Sequence, residues 1–479
     1  MKYLVTLFVS FAGVFFSWFA LWYFSLGGYQ KAEHWLRDVY KVKIHSAEKI
    51  GRKKIIVASG SNSLFGISSE VIAKETGYPI INMSGHAGLT FNFLADQIEQ
   101  VASEGDIIIM PLEFVFYTRT DDLTDWQLNN MQSWGYEHLK TYGVFELFKY
   151  FKSTDLSSYL ERSFGEGSIE YLGVENVKNY CLTDESKSPR WQGYNYKSMN
   201  CFGDILVDRK AIQKILDFRN ERTRNYLTSS DISDEFYKDA KRFSNKLNAM
   251  GAKLYFTWPA TIRNESFNLH KSGKSREMVS ALNSNLIDRG FEVICDPAES
   301  NLEVEYFFNT DYHLNKKGAV LRSIRLSDCI NLNILDKPKV EQSADLRAEQ
   351  YLLTGSQLFA TRVSHLKMLK DALGKYKLKY GQYPKSHLWD GLHTNWGQSK
   401  VDWIEGLVPD FIEALPRDPR NNTNGSQQYI YRSNGLDFKI LAHGVREDCP
   451  VIKLKYSELI DPVRNCNAYG FWSDGAEKW

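Results

Sequence analysis

The sequence predicts an α/β protein: three layers on a mostly parallel sheet, with a membrane-crossing helix ahead and a smaller α+β domain behind. Three observations predict this. Short runs rich in β-branched residues alternate with helix-length amphipathic segments between residues 54 and 296. No charged residue interrupts positions 3–26. Near the C-terminus, an apolar helical stripe ends at a Gly/Pro stop and is followed by a hairpin pattern. With 479 residues, 43% hydrophobic and 24% charged, the chain has material for two globular cores. Its formal net charge is +1 and it carries no basic stripe, so nucleic acid is not an expected partner.

The run LFVSFAGVFFSWFALWYF is long enough to cross a hydrocarbon core as a helix. Residues 1–28 read as an uncleaved signal anchor, since no small-x-small cleavage pattern follows. Trp18, Trp22 and Tyr23 suit an interfacial aromatic belt. Lys2 alone precedes the span, whereas a basic cluster runs from Lys31 to Lys54, which by the positive-inside tendency places the large domain in the cytoplasm. The cysteines argue the other way. Cys181, Cys201, Cys295, Cys329, Cys449 and Cys466 fall into neighbouring pairs without CxxC spacing, which suits disulfides in an oxidising compartment. Unrelated buried thiols are the alternative. The expectation adopted is a single-pass bacterial inner-membrane protein with its large domain in the periplasm.

Residues 29–52 form a short helix and connector. The strand candidates are KIIVAS (54–59), PIINM (79–83), DIIIMPLEF (106–114), AKLYFTWPAT (252–261) and FEVICD (291–296). Amphipathic segments at 68–76, 91–104, 234–250 and 276–289 supply the crossover helices. The first domain thus covers 53–335. From about 117 to 230 the rhythm is lost and Gly, Ser, Tyr and Asn dominate. This insertion either borders a site at the strand C-terminal rim, stapled by a Cys181–Cys201 bridge, or is a surface elaboration. Residues 336–360, polar and containing Pro338, read as a linker to a second domain over 361–479.

Chemistry concentrates at two places. The first β-run ends in Ser59-Gly60-Ser61-Asn62, with a helix expected just beyond. A serine at such a turn stands above the sheet edge, beside backbone N–H groups able to face an oxyanion; serine and asparagine are also ordinary turn and cap residues. Far downstream, YFFNTDYHLNKKGA carries Asp311 and His313 on one short loop. A serine needs a base to take its proton, and the base needs a group to orient it. Surface residues capping the following helix are the plain alternative. No cysteine–histidine cluster has zinc spacing, so no metal or other cofactor is expected.

Together these motifs resemble the SGNH (GDSL-like) hydrolase and acyltransferase superfamily, which implies a flavodoxin-like three-layer sheet. Ser59-Gly60-Ser61 takes the place of that family's G-D-S, making Ser61 the nucleophile. Asp311-Tyr312-His313 matches the D-x-H spacing of the branch that O-acetylates exported polysaccharides, with His313 as base and Asp311 orienting it. A glycine after the second strand gives an oxyanion N–H, which in INMSGHAG implies Gly85 or, by its distance from the strand, Gly88. Asn62 joins the oxyanion or substrate set. The resemblance covers residues 53–328, less the insertion. One block departs: where the family has G-x-N-D, this chain has Pro111-Leu112-Glu113. A carboxylate cannot replace the asparagine donor. Glu113 could instead bind a sugar hydroxyl, act as an acid, or support the fold. Trp258 reads as a core aromatic, with sugar stacking as the alternative.

In the second domain, Val363, Leu366, Leu369, Leu373, Tyr376 and Tyr380 line one helix face, ending at Gly381 and Pro384. QYIYRSNGLDFKILAHG then reads as a hairpin of 428–432 and 438–442. The order Ala372-Leu373, Tyr376, Gly381, Tyr383-Pro384, Leu415-Pro416, Asp418-Pro419, Tyr429, Tyr431 and Trp479 resembles the globular domain of type IV pilins and type II secretion pseudopilins. That resemblance implies a Cys449–Cys466 clip. The segment before this helix is too polar and short to span a membrane, so a borrowed protein- or glycan-binding module is expected rather than filament assembly.

The expected function is a membrane-anchored serine esterase or O-acyltransferase acting on an exported or cell-envelope glycan. The competing expectation is a non-catalytic envelope assembly or binding protein, partnered with secretion or polysaccharide-assembly proteins.

Overall fold

In a computed structural model the described residues are 2–51, 53–119, 123–167, 170–180, 194–205, 212–217, 226–419, 425–449, 452–453 and 456–479. They divide into two compact units, Met1–Asp345 and Leu346–Trp479.

The first unit opens with α1 (Lys2–Ser25), whose Tyr3–Ser25 stretch is long and apolar enough to cross a membrane. The expected connector contains a 16-residue helix, α2 (Trp35–Ile50). Then come β1 (Ile55–Val57), α3 (Ser61–Leu64), α4 (Ser69–Thr76), β2 (Ile80–Asn82), α5 (Phe91–Glu99) and β3 (Ile107–Pro111). Among the described residues the insertion carries helices α6 (Val115–Thr118), α7 (Asp125–Gln132), α8 (Tyr136–Leu139), α9 (Val144–Ser153), α10 (Leu156–Phe164), α11 (Val174–Asn179) and α12 (Gln213–Asp217). The core resumes with α13 (Asp234–Ala249), β4 (Lys253–Thr257), β5 (Thr261–Ile262), α14 (Lys274–Asp288), β6 (Glu292–Val293), β7 (Asn301–Leu302) and α15 (Lys316–Asn333).

Five strands pair in the order β2-β1-β3-β4-β6, every pair parallel. The β-branched runs make this work because successive side chains leave opposite faces. Ile55, Val57, Ile107 and Ile109 join Ile72 of α4 and Leu326 and Ile330 of α15 on one face. Ile56, Ile108, Met110 and Phe256 join helices α5, α13 and α14 on the other. Both faces are dry, as a parallel sheet requires. The fourth run is shorter than expected: β4 stops at Thr257, and Thr261–Ile262 pairs with β7 in a separate two-stranded ladder.

The Cys295–Cys329 disulfide ties the end of β6 to α15. The Cys181–Cys201 expectation falls on residue 181, outside the described residues. Residues 196–205 return to the sheet through Asp204, buried, which accepts from the Ser69 amide at 2.8 Å and from Asn82 Nδ2 at 2.9 Å. Trp22 does not face headgroups. It is 1% exposed, and its Nε1 donates to Thr154 Oγ1 at 3.1 Å.

In the second unit the linker expected over 336–360 is largely helix, since α16 runs from Ala344 to Tyr380. Nothing in 344–360 breaks a helix except Gly355, and a lone interior glycine costs only about 1 kcal/mol against alanine. Val363, Leu366, Leu369 and Leu373 pack on Tyr429, Tyr431, Ile440 and Tyr469. Strands β8 (Asp390–Gly391), β9 (Gln428–Ser433), β10 (Phe438–His443), β11 (Ile460–Asp461) and β12 (Asn465–Trp472) form an antiparallel sheet ordered β11-β12-β10-β9-β8. β9 and β10 are the expected hairpin, with Gly435 at φ +95° in its turn. Cys449 and Cys466 are bonded.

Candidate functional site

The parallel strands end at one rim, and the first turn there is the one carrying Ser61. Gly60 caps α3 and Ser61 is its first residue. Gly60 is dictated by close approach: a Cβ there would stand 2.5 Å from Glu113 Oε1 and 2.7 Å from the Ala87 nitrogen. Glu113, at the end of β3, grips the turn from beneath. Its two carboxylate oxygens accept the amides of Gly60 and Asn62, each at 3.0 Å, leaving the Ser61 amide between them. Of the three roles open to Glu113, this geometry selects support. The residue is 1% exposed, and burial raises its pKa against the lowering effect of those amides.

Asn62 is wholly buried, with its amide committed downward. Nδ2 donates to Ser59 Oγ at 3.0 Å and Pro111 O at 2.9 Å, and Oδ1 accepts from Arg322 at 2.8 Å. It braces the turn rather than facing a substrate. Arg322, 2% exposed on α15, also donates to Asn62 O at 3.0 Å and Trp258 O at 3.2 Å. Burial pushes its pKa down to about 9, with the Glu113 charge opposing. Trp258 is 2% exposed and donates to Cys295 O, the core role expected of it.

The oxyanion expectation for Gly88 fails on geometry. Its N–H donates to His86 Nδ1 at 3.0 Å, and the Trp126 ring lies where its Cβ would be, at 2.6 Å. Gly85 is likewise committed, donating to Ser59 O at 2.9 Å. The amide standing beside the turn is that of Ala87, which has no hydrogen-bond partner among the described residues. Arg119 holds this loop by donating to the carbonyls of Ala87 and Leu89.

The distant loop does reach the turn. The His313 ring lies 4.4 Å from that of Phe65, whose own N–H bonds Ser61 O at 3.1 Å. No hydrogen bond joins Ser61 and His313 among the described residues. Asp311 is buried and its backbone carbonyl accepts from Tyr226 at 3.2 Å, but the contact on His313 Nδ1 is Asn309 Oδ1, at 2.9 Å. The orienting role expected of Asp311 therefore falls to Asn309. An amide oxygen only accepts, so Nδ1 carries the proton and Nε2 is the basic nitrogen.

Burial first, and His86 second, push the His313 pKa down to about 3. This has a measurable consequence. The folded-state value lies below the unfolded one of about 6.5, so protonation favours unfolding. The contribution is full above about pH 6.5 and is lost as pH falls toward 3, by on the order of 4–5 kcal/mol at the lower end. Urea midpoints of the wild type should fall steadily from pH 6.5 to 4, and less steeply in His313→Gln. Identical slopes would show that His313 is not buried as a neutral ring.

His86 and Asn309 are the site residues that sequence reasoning missed. His86 stacks on Trp126 at 4.4 Å, and its pKa is lowered chiefly by burial. The signal available for it was a histidine immediately after the second strand; for Asn309, an amide four residues before the base.

No protein-family model matches this chain, and no curated protein matches it either.

Proposed function

We propose that this chain is a membrane-anchored serine esterase or O-acyltransferase of SGNH type, acting on an exported or cell-envelope glycan. The observation that carries this reading is the approach of the His313 loop to the Ser61 turn, through the Phe65 contact at 4.4 Å. Ser61 Oγ gives its proton to His313 Nε2 and attacks the acyl carbonyl of an ester donor. The donor's C–O bond breaks and its oxygen leaves as an alcohol carrying the proton from Nε2, while Asn309 holds the ring in the required tautomer. Orientation of a catalytic histidine by an amide rather than a carboxylate is a known arrangement in Cys-His-Asn hydrolases. The amides of Ser61 and Ala87 receive the oxyanion, and water or a glycan hydroxyl then releases the acyl group. The stacked His86–Trp126 pair offers an aromatic surface for a sugar at the same rim. Two disulfides support a periplasmic location beyond a single-pass inner-membrane anchor. The second unit, pilin-like in its helix-then-hairpin order, would serve as a binding module toward the glycan or an assembly partner.

A second reading, a catalytically silent binding or assembly protein, is favoured by one specific observation: Glu113 replaces an oxyanion donor and spends both oxygens on the turn itself. The deciding experiment is hydrolysis of p-nitrophenyl acetate by the purified full chain in detergent. We expect Ser61→Ala and His313→Gln each to lower kcat/KM by about a thousandfold or more. Turnover unchanged in Ser61→Ala would remove that serine from the mechanism and leave the binding reading.

A further inference from the structure

The C-terminal half of α1 is not bare. Phe15, Phe19 and Trp22 pack on Phe151 of α9, with ring centroids 5.8, 5.2 and 5.5 Å apart. Phe15 also meets Phe148 at 6.0 Å, and Trp18 meets Tyr159 of α10 at 4.7 Å. Arg162 Nε donates to Ser25 Oγ at 3.4 Å. Helices α9 and α10 therefore lie alongside α1 from Phe15 to its end, a rise of about 15 Å at 1.5 Å per residue.

The outward faces of these two helices are the reverse of what a solvated helix presents. On α9, Val144, Phe145 and Phe148 are 73%, 86% and 40% exposed. On α10, Leu156, Leu160 and Phe164 are 59%, 45% and 76% exposed, and their i, i+4, i+8 spacing sets them in one row. Scattered exposed hydrophobics are ordinary, but six on consecutive helices are a patch. This patch continues the bare flank of α1, where Phe16 and Phe24 are 66% and 83% exposed. Lys149 and Lys152, both exposed, follow Phe145 and Phe148 by one turn and so border the apolar face at the C-terminal end of α9. That pattern, an apolar face edged by lysines, belongs to helices lying at a membrane interface.

We propose that α9 and α10 form an interfacial hairpin seated in the lipid beside α1, so that the insertion is a membrane seat rather than only a rim for a soluble ligand. The occupant of the patch is lipid, because the surface is continuous with that of a bilayer-length helix. The seat also sets the height of the rim. Where α1 ends, Gly27 N–H donates to Gln132 O at 2.9 Å and Glu33 N–H to Asn130 Oδ1 at 2.8 Å, both on or at the end of α7. The same helix carries Trp126, stacked on His86. Eight residues of α7 span about 12 Å, so the rim is held near the headgroups. None of this depends on Ser61 being a nucleophile.

The test uses the full chain in vesicles of phosphatidylcholine and phosphatidylglycerol at about 3:1. The photo-crosslinker p-benzoylphenylalanine replaces Phe145 or Phe164, with Leu156 and Leu160 as an independent pair should either fail to fold. Phe8 on α1 is the lipid reference and Ile287, 51% exposed on α14, the solvent reference. After irradiation, mass spectrometry should find lipid adducts at 145 and 164 at least about tenfold above position 287 and near the level at position 8. Adducts at 8 with 145 and 164 no higher than 287 would overturn the proposal, as would crosslinks to another polypeptide. No adduct at any position would also overturn it, since the seat requires α1 in the bilayer.

Discussion

Arg322→Met should cost the α/β unit about 3–5 kcal/mol, the order expected when three buried oxygens lose one charged donor at about 1–3 kcal/mol each. The guanidinium, 2% exposed, serves three acceptors at once: Asn62 O, Asn62 Oδ1 and Trp258 O. Methionine fills comparable volume but donates nothing, so those oxygens stay buried without their partner. It also removes the positive charge facing Glu113, leaving a carboxylate with less compensation beneath the Ser61 turn. Glu113→Gln alone should cost less, about 1–3 kcal/mol, because an amide offers one oxygen where two N–H groups need acceptors. The double variant separates charge from hydrogen bonding. If Arg322 and Glu113 act as one network, chemical denaturation should show the double loss smaller than the sum by about 0.5–3 kcal/mol. Strict additivity would mean the two residues stabilise the turn independently. On the proposed esterase reading, either single variant should also lower turnover, since the turn they hold carries Ser61.

Arg362→Ala should be comparably severe for the second unit. Arg362 is fully buried on α16 and holds Asp418 through two bonds, Nε at 2.7 Å and Nη2 at 3.1 Å, while Nη1 reaches Asp448 at 2.8 Å. Tyr469 OH donates to the same Asp448 oxygen at 2.7 Å. The guanidinium thus fastens the helix to two separate loops around the sheet, and its neighbours hold its pKa above the usual arginine range despite burial. Deleting it takes the bidentate partner from buried Asp418 and one donor from buried Asp448, a loss of about 3–5 kcal/mol. Lysine should not rescue the loss, because a point charge cannot reproduce the planar fork. The check is a thermal melt followed by tryptophan fluorescence. Arg362→Lys melting within a few degrees of wild type would show that charge alone, not bidentate geometry, holds the helix.

These residues mark how far a reading of the chain could go. β1, β2, β3 and β4 were legible because fully buried parallel strands are short, β-branched and continuous, as at Ile107–Ile109. The hairpin at Asn434-Gly435 and the apolar row from Val363 to Leu373 were legible for the same local reason. Within the site, Ser61 and His313 stood out by residue type and placement. Glu113 was visible as a departure, yet its role as a clamp on flanking amides was not, because hydrogen-bond partners 53 and 51 positions away leave no local trace. Asp311 looked the better orienting group since a carboxylate is the usual partner of a catalytic base. The loop backbone instead brings the amide of Asn309 to Nδ1. Gly88 was favoured by its distance from β2, and only the fold shows Trp126, from the insertion, lying over it.

By itself the amino-acid order determined the apolar N-terminal helix, the alternating α/β plan, the two-unit division and the two residue clusters proposed to carry chemistry. Each of these is written in periodicity, burial-compatible residue types or turn punctuation, which act over a few neighbouring positions. Tertiary structure alone decided which backbone amides flank the Ser61 turn unclaimed, which oxygen holds His313, and that α9 and α10 lie against α1 with their apolar outer faces exposed. The contact of α1 with α9 and the grip of Glu113 on the Ser61 turn join segments far apart in the chain, and even the short-range pairing of His313 with Asn309 is set by how the whole unit folds that loop.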